Sequence, residues 1–117
     1  LIISVDSYNI ADAYHGTKAW LDKGIAFDAI FAIADNLAMG AMRALREKGI
    51  IVPKDCSIVA IDGIEVSEYM APALSTYCQP MEELGKTSVD LLIDLIEKKG
   101  ENILPTIFRE GETIAVR

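Results

Sequence analysis

Four side chains stand where an α/β protein could hold a polar small molecule: Asp62, Gln79, Tyr8 and Asp35. Asp62 closes the apolar run Ser57-Ile58-Val59-Ala60-Ile61 and is followed at once by Gly63. Gln79 closes a second short run, Ser75 to Cys78, directly before Pro80. If both runs are strands of a parallel sheet, their carboxyl ends lie on the edge where such sheets bind ligands. A carboxylate there accepts hydrogen bonds from vicinal hydroxyls or ring nitrogens, and an amide can both donate and accept. An Asp-Gly pair is equally what a tight turn requires, with no ligand at all. Spacing alone leaves both readings of Asp62 open. Gln79 reads as a ligand donor or as a cap on the helix behind it. Tyr8 lies in the turn cluster Asp6-Ser7-Tyr8-Asn9, where its ring could stack on a planar or sugar ring or rest half-exposed in a loop. Asp35 follows another apolar run, and its first explanation is an N-cap, with the carboxylate near the positive end of a helix dipole.

Chemistry that breaks bonds finds little support. The chain has no GxGxxG after a strand, no GxxxxGK[ST] and no GxSxG. His15 is its lone histidine and has no partner at nucleophile or metal spacing, so a surface histidine is the expectation. Cys56 and Cys78 lack CxxC spacing, and with one histidine no zinc set can be assembled. A phosphoacceptor domain would need an acidic pair after the first strand and a lysine after the fifth, and Asp6 stands without them. No enzyme, metal or cofactor is expected.

The elements that must position these residues alternate strand and helix. Leu1 to Val5 reads as a strand, Ile10 to Lys23 as a helix ended by Gly24, and Ala29 to Ala34 as a strand buried on both faces. A helix is predicted from Leu37 to Lys48, with Asp35 and Asn36 at its cap and Gly49 at its end. Strands follow at Ile58–Ile61 and Ser75–Cys78. Pro80 suits the first turn of the longest helix, which is expected to run to about Lys99 with an apolar stripe of Met81, Leu84, Ser88, Leu91, Leu92, Leu95 and Ile96. The tail suggests two strands, Ile103 to Arg109 and Thr113 to Val116, joined by Glu110-Gly111-Glu112. Strands separated by helices imply right-handed βαβ units, hence an α/β fold with a three-layer parallel sheet flanked by helices.

The length, 117 residues, suits one domain, and 51% hydrophobic with 25% charged residues is ordinary globular composition. No apolar run reaches the roughly 18 residues of a membrane span, and no signal-peptide pattern opens the chain. The opening Leu-Ile-Ile-Ser-Val reads as the middle of a strand, as in a piece of a longer protein. Eleven basic against 18 acidic residues, net −7, argues against direct contact with nucleic-acid phosphates or anionic membranes. Two reduced thiols fit a cytoplasmic setting.

Three motifs, in order, resemble one family. Ala34-Asp35-Asn36-Leu37-Ala38-Met39-Gly40-Ala41-Met42-Arg43-Ala44-Leu45 is similar to its helix-opening NDxxAxGxxxAL. Gly49 to Gly63 resembles GxxVPxDxSVxGFD, and Pro72 to Gly85 resembles PxLTTxxQPxxxLG. The family is the lactose-repressor/galactose-repressor group of bacterial transcription regulators. The resemblance implies a type I periplasmic-binding-protein-like fold, of which residues 1–117 would be the C-terminal subdomain of the effector-binding and dimerisation domain. The N-terminal subdomain and the helix-turn-helix headpiece that reaches operator DNA would lie upstream.

By the same resemblance Asp62 is the strand-end aspartate that binds effector hydroxyls or base atoms, and Tyr8 matches a stacking aromatic. Gln79 matches an amide near the pocket and Asp35 the helix-cap acid. Tyr69, Met70 and Met39 become candidate contacts across a homodimer two-fold. Ala34, Ala60-Ile61 and Gly63 depart from the usual residues around the pocket, so a typical hexose pose is not implied. The function implied is that of a regulator, a repressor, responding to a sugar or nucleoside. The alternatives are a periplasmic sugar-binding protein and, more distantly, a flavodoxin-like enzyme.

Overall fold

The computed structural model describes residues 1–97, 107–109 and 111–114. Helix α1 spans Ile10–Asp22, strand β1 Ala29–Phe31, helix α2 Asp35–Glu47, strand β2 Ser57–Asp62, strand β3 Ser75–Cys78, helix α3 Met81–Glu97 and strand β4 Ile107–Arg109, with a 3-10 turn at Glu65–Tyr69 between β2 and β3. The strands form one sheet in the order β1-β2-β3-β4. The first three run parallel, and β4 joins β3 antiparallel, with Thr76 opposite Arg109. This is the expected α/β class: a parallel sheet with flanking helices.

Binary patterning explains the core. Ile58 and Ala60 of β2 point to one face and pack with Ala32 and with Ala38, Met42 and Leu45 of α2, all buried. Alternation with period two on the strand and 3.6 on the helix puts these residues on facing surfaces. Helices α1 and α2 approach closely at Gly40, because a side chain there would run into the backbone of Ile10 and Tyr14. Asn9 caps α1 by accepting the Asp12 N–H at 2.7 Å, and Ser7 and Asn9 both bind the Asp12 carboxylate.

Several expectations are corrected. Leu1 to Val5 is not a strand: Ile3, Val5 and Ser7 alternate as half-buried residues, yet no ladder to β1 forms. Side chains of Ile3 and Val5 lie against α1 at Gly16, while a cavity of about 630 Å³ separates this segment from β1. Strand β1 is shorter than expected and is not buried on both faces: Ile30 is half-buried and Phe31 59% exposed. In the stretch that follows it Ala32 and Ala34 are buried, whereas Ile33 is 56% exposed.

The α3 stripe is not core within the described residues, where Met81, Leu92 and Ile96 are largely exposed and α3 makes no extensive contact with another element. The predicted end of α3 at Lys99 lies outside the described residues, as does most of Ile103–Arg109 and part of Thr113–Val116.

Thr113, expected in a strand, instead acts as a peg between β2 and β3. Its carbonyl accepts the Ile58 N–H at 2.6 Å, its hydroxyl donates to the Ile58 carbonyl at 2.5 Å, and that same oxygen accepts the Ser75 N–H at 2.8 Å. Strands β2 and β3 first pair at Val59 and Ser75, so Thr113 satisfies backbone groups ahead of that point.

Candidate effector site

Parallel pairing brings the ends of β2 and β3 side by side, with Asp62 opposite Cys78. Gln79 is the next residue, and it holds Asp62 twice. Its backbone N–H donates to the Asp62 carbonyl at 2.9 Å, and its Nε2 donates to Asp62 Oδ1 at 2.9 Å. Asp62 Oδ2 accepts no hydrogen bond among the described residues. One carboxylate oxygen is therefore anchored and the other is open at the strand-end edge of a half-buried residue. Such an oxygen can accept from a ligand O–H or N–H.

The backbone at Asp62 is itself unusual. Its φ is 132°, alone in being positive among the described non-glycine residues, and Gly63 follows at 75°. A side chain held in that region costs on the order of 1–3 kcal/mol and persists where surrounding contacts over-determine it. Gln79, read from the sequence as a ligand donor or a helix cap, donates its side-chain N–H to the Asp62 carboxylate.

Asp35 requires correction. The N-cap of α2 is Ala34, with extended backbone and no side-chain cap bond, and Asp35 is the first helical residue. Its carboxylate turns away from the helix end and is fully buried. Oδ2 accepts from Gly63 N at 3.1 Å, Ile64 N at 2.9 Å and Ser67 Oγ at 3.0 Å, and Oδ1 accepts from Thr76 Oγ1 at 2.5 Å. Both oxygens are committed to protein donors, so the group holds the turn after Asp62. Ser67 was overlooked from sequence, as was Arg109, which donates to Ser67 Oγ and pairs with Glu68. Neither carries a local spacing to betray it.

Tyr8 is not brought to Asp62 by this chain. It is 65% exposed and borders the 630 Å³ cavity between the opening segment and β1, which neither Asp62 nor Gln79 lines. His15 is exposed and stacks edge-on against Tyr14 at 4.9 Å. Among the described residues no group of three His, Cys, Asp or Glu could hold a metal ion, and no helix is long and apolar enough to cross a membrane.

Away from Asp62, which is not in its lining, Met39 and Met70 line one groove of about 780 Å³ with Met42, Arg43, Ile50 and Pro72. Tyr69 stands beside it, 78% exposed. The 3-10 turn that presents Tyr69 and Met70 is the segment whose Ser67 is bound to Asp35.

The family described as periplasmic binding protein-like domain matches residues 3–117. Among curated proteins the chain is similar to an HTH-type transcriptional regulator, MalR, of Clostridium butyricum, 43% identical over 87% of this chain and 30% of that protein. A LacI family transcriptional regulator from Enterococcus faecium with bound ribose superimposes with a TM-score of 0.85 at 35% identity, over 98% of this chain and 43% of that one. The lac repressor dimer bound to operator and the anti-inducer ONPF gives 0.87 at 34% identity, over 92% and 39%. The chain thus spans about a third of the curated relative it matches.

Proposed function

The chain belongs to the periplasmic-binding-protein-like domains of the lactose-repressor/galactose-repressor family, and on that premise we propose that it is the effector-sensing and dimerisation part of a bacterial transcription repressor answering a sugar or nucleoside. The observation that carries the reading is the Asp62 carboxylate, anchored on one oxygen by Gln79 and open on the other at a strained strand end. In this reading residues 1–117 are the C-terminal subdomain. Asp62 takes the ligand's hydroxyl or ring N–H groups, with Gln79 and Asp35 holding it in place, while Tyr8, away from Asp62 in this chain, is no part of that contact. Operator DNA is reached through an upstream headpiece, in keeping with a net charge of −7 here. The setting is cytoplasmic, and the chemistry is recognition without catalysis. Relatives that are regulators favour this reading over a periplasmic transport component.

The mechanism is a population shift. Effector bound between two subdomains favours one relative orientation, and a dimer converts that orientation into headpiece spacing. Only differential affinity for the two orientations can move the equilibrium, so a residue contacting ligand in one of them is the lever.

The test is a thermal-shift series on the full-length protein with D-ribose, lactose and adenosine. One of them is expected to raise the melting temperature, by the equivalent of about 2.7 kcal/mol at a hundredfold excess over Kd, and to weaken operator binding in a mobility shift. A protein indifferent to all three overturns the reading.

The groove holding Met39 and Met70, with Tyr69 at its side, supports a homodimer two-fold at this face. At a two-fold each change is felt twice. Met70→Arg places two uncompensated charges in the contact and is expected to give monomers by light scattering, with melting temperature otherwise accounted for by dimer loss. A dimer that survives Met70→Arg at micromolar concentration removes this face from the interface.

A further inference from the structure

Asp35 presents a puzzle that its helix position does not resolve. A fully buried carboxylate is costly unless its charge is met by hydrogen bonds or a partner. No cation touches it among the described residues. Its charge is met by two consecutive backbone N–H groups and by the hydroxyls of Ser67 and Thr76. These donors are separated from it by 28, 29, 32 and 41 residues. A helix could be capped far more locally.

The donors share a location. Gly63 and Ile64 are the two residues after Asp62, and Thr76 is on β3, three residues before Gln79. Asp62 is therefore gripped from two directions. Gln79 binds its carbonyl and one carboxylate oxygen from the β3 side, while Asp35 fixes the peptide units that follow it from below. Because Asp62 sits at φ 132°, releasing either grip lets its backbone relax and its side chain move.

Ser67 carries the hold further. Its single hydroxyl proton is shared between Asp35 Oδ2 and the Ile64 carbonyl, while its oxygen accepts from Arg109, which also pairs with Glu68. The loop carrying Tyr69 and Met70 and the strand end carrying Asp62 are thus referred to one buried carboxylate.

We infer that Asp35 is a positioning residue for effector recognition, setting the Asp62 carboxylate in place and tying it to the Glu65–Tyr69 turn. The inference rests on the reading of Asp62 as the ligand acceptor. Asparagine at Asp35 conserves volume but keeps one acceptor oxygen, so its NH₂ must face either the Gly63 and Ile64 N–H groups or Thr76 Oγ1.

A double-mutant cycle in the full-length protein tests it, with Asp35→Asn and Asp62→Asn as the single changes. Affinity is read by calorimetry with whichever of D-ribose, lactose or adenosine raises the wild-type melting temperature. Each single change is expected to weaken binding by about 10–100-fold, the scale of a lost charged hydrogen bond. The double variant is expected to bind no more than about threefold weaker than Asp62→Asn alone, since Asp35 acts through Asp62. Losses that multiply overturn the inference, as does wild-type affinity in Asp35→Asn. Wild-type affinity in Asp62→Asn, or no binding of any of the three, overturns instead the reading on which it stands. If Asp35→Asn fails to fold, Thr76→Val removes the Oδ1 donor alone. Its loss should be smaller and should again vanish in the Asp62→Asn background; persistence there overturns the inference.

Discussion

Replacing Asp62 by alanine in the full-length protein is expected to abolish the response to effector while operator binding in its absence stays intact. Among the described residues the carboxylate is the one charged acceptor placed at the ends of β2 and β3 with an oxygen not committed to the protein. A hydrogen bond from a ligand to a charged acceptor contributes about 1.5–3 kcal/mol. Two vicinal hydroxyls sharing that carboxylate would lose about 3–6 kcal/mol, a weakening of two to four orders of magnitude. Operator titrations with and without effector separate the two functions, and normal release from operator by Asp62→Ala would take Asp62 out of the site. Asp62→Gly sharpens the test. Glycine adopts positive φ without penalty, so the strain at 132° disappears together with the carboxylate. The expected variant is at least as stable as the parent to heat and blind to effector. A marked loss of stability would show that Asp62 serves the turn alone.

How much of this was legible depends on how local each cause is. Strand β3 was read to its observed ends because Pro80 and the loop before Ser75 punctuate it within a few residues. That Asp62 and Gln79 lie on one edge follows once the two strands are taken as parallel neighbours, but the bond between their side chains has no local signal. Asp35 was misassigned for the opposite reason. An Asp-Asn pair before an apolar helix is what a cap looks like, and a cap is a local explanation. Its true partners, Gly63, Ile64, Ser67 and Thr76, arrive from a loop and strand that only tertiary structure folds back over α2. Thr113 fails similarly. A threonine in an apolar tail scores as strand, and nothing local says that it will fill the gap ahead of the β2–β3 pairing. The opening residues kept the alternation of a strand without its ladder, because alternation reports which side is covered and not which backbone is bonded. Helix α3 illustrates the converse: a stripe at helical spacing is real, but its burial depends on a surface that the described residues do not provide.

Gly63→Ala is expected to be the most destabilising single change in the site, and its cost has two separable parts. Gly63 has φ 75°, where a β-carbon costs roughly 1–2 kcal/mol. That β-carbon would also stand 2.5 Å from Cys78 Sγ and 2.6 Å from Cys78 Cα. The sulfur could rotate away, but Cα belongs to β3 and cannot move without straining its register with β2. Overpacking of this kind adds about 1–3 kcal/mol, giving roughly 2–5 kcal/mol in all. Asparagine tolerates positive φ better than alanine yet carries the same β-carbon, so Gly63→Asn should recover only the backbone part. Thermal unfolding of the full-length variants orders them: wild type most stable, then Asn, then Ala. Because the Gly63 N–H is also a donor to Asp35, the displaced turn should lower effector affinity in both variants even well below their melting temperatures. Alanine tolerated to within about 0.5 kcal/mol, the range of an ordinary surface change, would mean that Gly63 and Cys78 are not in contact and that the Asp62 turn is not held as described.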